Sequence, residues 1–98
     1  MTLHVINKTD PRLWQTLLTA VLPTDALVLI EDAVYAALPA PAQASELLAH
    51  HPGLHVCVLV DDLAARGISA KIRPGFVSVS YRDFVALSLV HERVVNWH

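Results

Sequence analysis

His50, His51, His55 and Cys57 lie close together in the chain and bring ligand-type side chains into one stretch. Imidazole nitrogen and thiolate sulfur bind soft metals, and His55 and Cys57, two apart on an extended segment, share one face. With His51 approaching from the preceding turn, the candidate metal set is His51, His55 and Cys57. The spacing matches no recurring zinc pattern. The simpler reading has His50 and His51 closing a helix, where positive charge complements the dipole, and Cys57 packing in a core. Cys57 is also the only thiol, and so the only candidate sulfur nucleophile. Between Val56 and Val58 it is expected mid-strand, where burial keeps it a protonated thiol rather than a reactive thiolate. No Gly-x-Ser-x-Gly segment offers a serine in its place.

A second group is acidic: Glu31-Asp32 and Asp61-Asp62 each follow an apolar run. In open α/β sheets sites form beyond the carboxyl ends of strands, so four carboxylates there could hold a hard cation or act as acid and base. The alternative is that they cap helix starts and face water. Either way they disfavour a nucleotide. Gly53, Gly67 and Gly75 are the only glycines and form no phosphate-cradling loop.

The elements that must position these groups alternate in type. Leu3–Ile6 is a short apolar strand. Asp10-Pro11 opens a helix, since Asp accepts from first-turn N–H groups and Pro gives up an N–H that has no helical partner. Trp14, Leu17, Leu18, Val21 and Leu22 form its apolar face, and it must stop near Pro23. Ala26–Ile30 and Leu54–Val60 are continuous apolar runs, as expected of strands covered on both faces. Between them lies a helical region interrupted by Pro39 and Pro41 that includes Ala42–Ala49. Asp61–Gly67 makes one or two helical turns, with acid at the start and glycine where positive φ is wanted. Phe76–Val79 is a fourth strand. Ser80 and Asp83 form a capping box for a helix whose stripe is read as Tyr81, Phe84, Val85 and Leu89, leaving Leu87 and Val90 toward the flanks. Val94–His98 is a candidate edge strand. The pattern predicts a single doubly wound, mostly parallel α/β domain over residues 1–98, with helices on both faces.

Composition adds a constraint on partners. Of 98 residues, 54% are hydrophobic and 16% charged, against a usual balance of roughly 45–50% and ~25%. A domain this small has too little interior to absorb that surplus, which points to a surface covered by other protein chains. The net charge is −2 and the seven Lys and Arg residues are scattered, so direct nucleic-acid binding is not expected. No apolar run approaches the ~20 residues needed to cross a bilayer. With no signal-peptide pattern at the start and one lone cysteine, a cytoplasmic setting is expected.

Several segments together resemble one family. Leu3-His4-x-x-Asn7-Lys8, Glu31-Asp32-x-x-Tyr35-Ala36-Ala37, Asp62-Leu63-x-x-Arg66-Gly67, Tyr81-x-Asp83-Phe84-Val85-x-Leu87 and the closing Trp97 are similar, in order and spacing, to the TusB/DsrH family of small sulfur-relay subunits. The resemblance implies a DsrE-like fold and assembly into a heterohexamer with TusC-like and TusD-like paralogues, or with DsrE and DsrF equivalents. In the Tus setting it implies a relay for 2-thiolation of the tRNA wobble uridine. Persulfide sulfur enters from a TusA-like donor and passes through a cysteine of the D-type subunit toward a TusE-like acceptor.

The B-type subunit is not the usual carrier in that scheme. Some DsrH members carry a cysteine in the first helix, and Pro11–Leu22 contains none. The expectation is therefore a noncatalytic, architectural subunit with no cofactor. Its partner surface is expected at the C-terminal portion, on Tyr81, Leu87, Val90 and Trp97. The alternatives are a DsrH-like role in sulfur oxidation, a thiol carrier using Cys57, or a metal module using His51, His55 and Cys57.

Overall fold

The computed structural model describes residues 1–39 and 42–97, leaving out the side chains of 42–45. Five strands, β1 (Thr2–Ile6), β2 (Ala26–Leu29), β3 (His55–Leu59), β4 (Phe76–Val79) and β5 (Arg93–Trp97), form one sheet in the order β4-β3-β2-β1-β5. Every neighbouring pair is parallel. The central β2 is buried at all of its positions, as its unbroken apolar run requires: a strand covered on both faces has no wet side for a polar residue.

The two faces are covered unequally. On one, α1 (Pro11–Ala20), α2 (Ala42–His50), α3 (Val60–Ala65) and a 3₁₀ segment (Glu31–Ala37) set Trp14, Leu17, Leu47, Leu63 and Val34 against Ile6, Leu27, Leu29, Val56 and Val58. Each fully buried Leu or Val there is worth about 1.5–3 kcal/mol of transfer free energy before entropy is counted. On the other face lies a smaller cluster of Leu3, Val5, Ala26, Val28, Cys57 and Val79, covered by α4 (Tyr81–Val90) through Phe84 and Leu87. The crossovers explain the imbalance. The chain moves stepwise from β1 to β4 with its helices on the first face, then returns past β1 through α4 to place β5 at the far edge.

The local signals act as the sequence suggests at three sites. Asp10 accepts a hydrogen bond from the backbone N–H of Arg12 at 3.0 Å, with Pro11 at the first helical position. Ser80 and Asp83 exchange both bonds of the capping box. Gly67 closes α3 at φ 67°, where a side chain would be strained.

Other expectations are corrected. α1 stops at Ala20, near Pro23 as expected, but Leu22 is exposed rather than part of the buried face: it lies in the turn, where its backbone N–H donates to Asp25. The second helical region divides into the 3₁₀ segment and α2. The interruption read at Pro41 lies outside the described residues. Val60 begins α3 rather than ending β3.

The stripe read for α4 holds at Phe84 but not at its other three residues. Tyr81, Val85 and Leu89 are exposed, while Phe84 and Leu87 meet the sheet. Periodicity cannot say which side of a helix faces inward when nearly every side is apolar. Among the described residues no helix is long and apolar enough to cross a membrane.

Candidate functional site

The thinly covered face holds the main candidate site. Between α4 and the sheet runs a groove of about 350 Å³ lined by His55, Cys57, Val77, Asp83, Leu87 and Val90, among others. Its shape follows from α4 standing over only part of the sheet. No residue of α4 is fully buried, and Tyr81, Val85, Leu89 and Val90 are 61%, 41%, 80% and 71% exposed. Val77 of the edge strand β4 is exposed beside them. Five of the ten exposed large apolar side chains among the described residues gather on α4 and β4, because one helix cannot shield a five-stranded face.

Cys57 forms part of the groove floor yet is only 3% exposed. Burial pushes its thiol pKa up, and the neighbouring Asp83 carboxylate pushes it further in the same direction. A nucleophilic or sulfur-carrying cysteine needs the reverse, an electropositive and accessible setting. His55 is exposed at the groove, but His51 is not with it: its Nε2 donates to the carbonyl of Leu18 in α1, at 3.3 Å. Since α1 covers the opposite face, the set His51, His55 and Cys57 is not assembled. No group of three metal-ligating side chains occurs among the described residues.

The acidic residues are brought together at the carboxyl ends of β2 and β3, although not as four free carboxylates. Asp62 accepts from the backbone N–H of Glu31 at 2.7 Å. Arg66 donates to Asp32 at 2.8 Å, pairs with Asp62 at 3.7 Å and stands 5.9 Å from the centre of the Tyr35 ring. An arginine that neutralises two of the carboxylates serves the join between the 3₁₀ segment and α3 better than it serves a cation. Asp61 and Glu31 are exposed.

Trp97 is held by its own domain. Its indole packs beside the larger core and donates to Nδ1 of His4 at 3.0 Å. His4 in turn lies 3.0 Å from the Asp25 carboxylate through Nε2. Of these three residues the sequence names Trp97 as a partner-surface candidate and His4 only within the family-like segment Leu3–Lys8, and Asp25 not at all. The signal for the others was a histidine inside the apolar run Leu3–Ile6 and an aspartate immediately before β2, each unremarkable alone.

Comparison with known proteins agrees with this architecture. Residues 11–94 match the family described as DsrH like protein. The chain is 40% identical over 73 residues to Protein TusB of Klebsiella pneumoniae, covering 74% of this chain and 75% of that protein. It is 30% identical over 99 residues to Protein TusB of Escherichia coli O6:K15:H31, covering 97% and 99%. Among solved structures, the crystal structure of ychN protein from E. coli superposes with a TM-score of 0.80 at 20% identity, over 98% of this chain and 97% of that one. That likeness fixes the fold as DsrE-like. A DsrE-like sheet, a family match spanning both faces of it, and relatives sharing nearly the full length together place this chain in the TusB/DsrH family.

Proposed function

We propose that this chain is a noncatalytic, architectural subunit of a heteromeric sulfur-relay complex, assembled with TusC-like and TusD-like paralogues and serving 2-thiolation of the tRNA wobble uridine. The observation that carries the reading is α4, a helix with no fully buried residue and with Leu89 and Val90 mostly in water. A monomer gains nothing from such a helix surface, whereas obligate interfaces are built of this material. The protected state of Cys57 supports the noncatalytic part, since a buried, protonated thiol is a poor acceptor of persulfide sulfur. In this scheme the sulfur enters from a TusA-like donor, travels on a partner's cysteine and leaves toward a TusE-like acceptor.

Within the proposed surface, Tyr81 and Val90 are presented to a partner. Leu87 joins the helix to its own sheet and borders the groove. Trp97 contributes by fixing β5 rather than as a free anchor. The absence of cysteine from α1 favours the Tus setting over a DsrH-like one in sulfur oxidation.

Co-expression with the two paralogues, followed by native mass spectrometry and a persulfide-transfer assay, tests the proposal. The expected result is a stable complex containing this chain, with transfer that survives Cys57→Ala. A chain that remains monomeric beside both paralogues, or transfer that stops with Cys57→Ala in an intact complex, rejects it.

A further inference from the structure

His4 sits between two partners that together dictate its protonation pattern. The Trp97 indole N–H can only donate, so Nδ1 of His4, 3.0 Å away, must accept. The ring proton is therefore on Nε2, where it donates to Asp25 Oδ2 at 3.0 Å. Asp25 also accepts from the backbone N–H groups of Thr2 and Leu22, both at 3.0 Å. The arrangement joins β1, the turn before β2 and β5, and it spans nearly the whole chain. His4 and Asp25 are 4% and 5% exposed. A pocket of about 260 Å³, lined by Thr2, His4, Asp25, Arg93 and Trp97 among others, opens beside them and gives solvent a route to the ring.

We propose that His4 is a proton-operated latch on the C-terminal strand: proton uptake at Nδ1 breaks the bond to Trp97 and loosens the end of β5 that this bond pins beside β1. A proton from solvent converts Nδ1 from acceptor to donor, and two N–H groups cannot face each other across a hydrogen-bond distance. Asp25 does not oppose the change, because its carboxylate accepts from Nε2 in both states and pairs with the charged ring when it forms. The strain therefore falls on the Trp97 side.

Trp97 is the part able to yield. It is only half-buried, and its strand pairs with β1 alone. The charged groups lining the same pocket are Asp25 from the turn before β2, which favours uptake, and Arg93 from β5, which opposes it. The α1 side contributes Ala20 and Leu22, neither of which titrates. The latch is a property of the chain itself and does not depend on which partners it meets.

Nitrogen-15 NMR of the whole chain, from about pH 7.5 to about pH 5, spans the range in which a histidine changes charge and reads the latch directly. The expected result at the upper end is His4 protonated only on Nε2, with a slowly exchanging Trp97 indole N–H. As His4 takes up a proton, that N–H should shift and exchange rapidly. The backbone amides of β5 should lose protection while those of β2 and β3 keep theirs. Trp97→Phe keeps the ring packing but removes the donor to the neutral ring, so proton uptake by His4 should become easier and its midpoint should rise. An Nδ1–H tautomer at neutral pH overturns the proposal, as does a Trp97 N–H indifferent to His4 titration. So does a Trp97→Phe midpoint that stays put or falls.

Discussion

Asp62, on α3, holds the backbone N–H of Glu31, at the end of β2, in a 2.7 Å hydrogen bond. Glu31 is the only non-glycine residue with positive φ among those described, at 50°, a conformation that costs an L-residue roughly 1–2 kcal/mol. The Asp62 carboxylate offsets that cost by satisfying the amide that the turn exposes. It thereby fixes how the 3₁₀ segment leaves the sheet.

Asp62→Ala is accordingly expected to lower unfolding stability by about 1–2 kcal/mol, a charge-assisted bond to a partly buried acceptor. Glu31→Gly, which adopts positive φ without strain, should recover part of that loss in the double variant. Urea unfolding of the three proteins measures both effects. No recovery on adding Glu31→Gly would show that the turn stores no strain.

The Asp25 carboxyl feels burial first, which pulls its pKa up, but the hydrogen bonds from His4, Leu22 and Thr2 outweigh it and leave the pKa below the ordinary value. A carboxylate with a depressed folded pKa contributes stability above its unfolded pKa and loses it as pH falls through the folded one. Thermal unfolding should therefore show an acid-side loss below about pH 4. Asp25→Asn should flatten that loss. Asp25→Ala should cost about 2–4 kcal/mol at neutral pH, because the buried His4 ring and two part-buried backbone N–H groups, of Thr2 and Leu22, lose their acceptor. An unchanged acid limb in Asp25→Asn assigns the loss to other groups.

Cys57 should react slowly with a maleimide at neutral pH and promptly once the chain is unfolded. Its raised pKa has the opposite sign of linkage. The protonated thiol contributes stability below the ordinary thiol range, and that contribution is lost as pH rises through the folded pKa. Cys57→Ala should remove this alkaline component, and Cys57→Ser should be the less stable of the two because its hydroxyl is buried in the apolar cluster of Leu3, Val5, Val28 and Val79. Fast labelling of the folded chain would contradict the burial argument.

Val90→Asp is expected to leave circular dichroism and melting close to those of the parent, since the side chain is 71% exposed, while abolishing assembly through an unpaired charge in a desolvated contact. Leu87→Asp should instead destabilise the chain itself, because Leu87 packs on the smaller core. Trp97→Ala should behave like Leu87→Asp rather than like Val90→Asp. Native mass spectrometry beside thermal melts separates the two classes. A complex untouched by Val90→Asp would move the interface away from the end of α4.

Local chemistry in the sequence was enough to read the alternating strands and helices, the caps at Asp10 and Ser80, the left-handed turn at Gly67 and the burial of Cys57. Each depends on residues within a turn of one another or on the unbroken apolar run of a strand. The surplus of apolar residues likewise announced an open surface. Which side of α4 stays open was not legible, because an all-round apolar helix satisfies several orientations and only the sheet beneath it selects Phe84 and Leu87.

Two other relationships were equally hidden. Arg66 meets Asp32 across 34 positions, and Trp97 meets His4 across 93. Both contacts exist only because strand register, Ile6 opposite Trp97 in the second case, brings distant side chains to one place. Register is set by the packing of the whole sheet, so the tertiary structure alone decides that a histidine in an apolar strand becomes the centre of a polar relay.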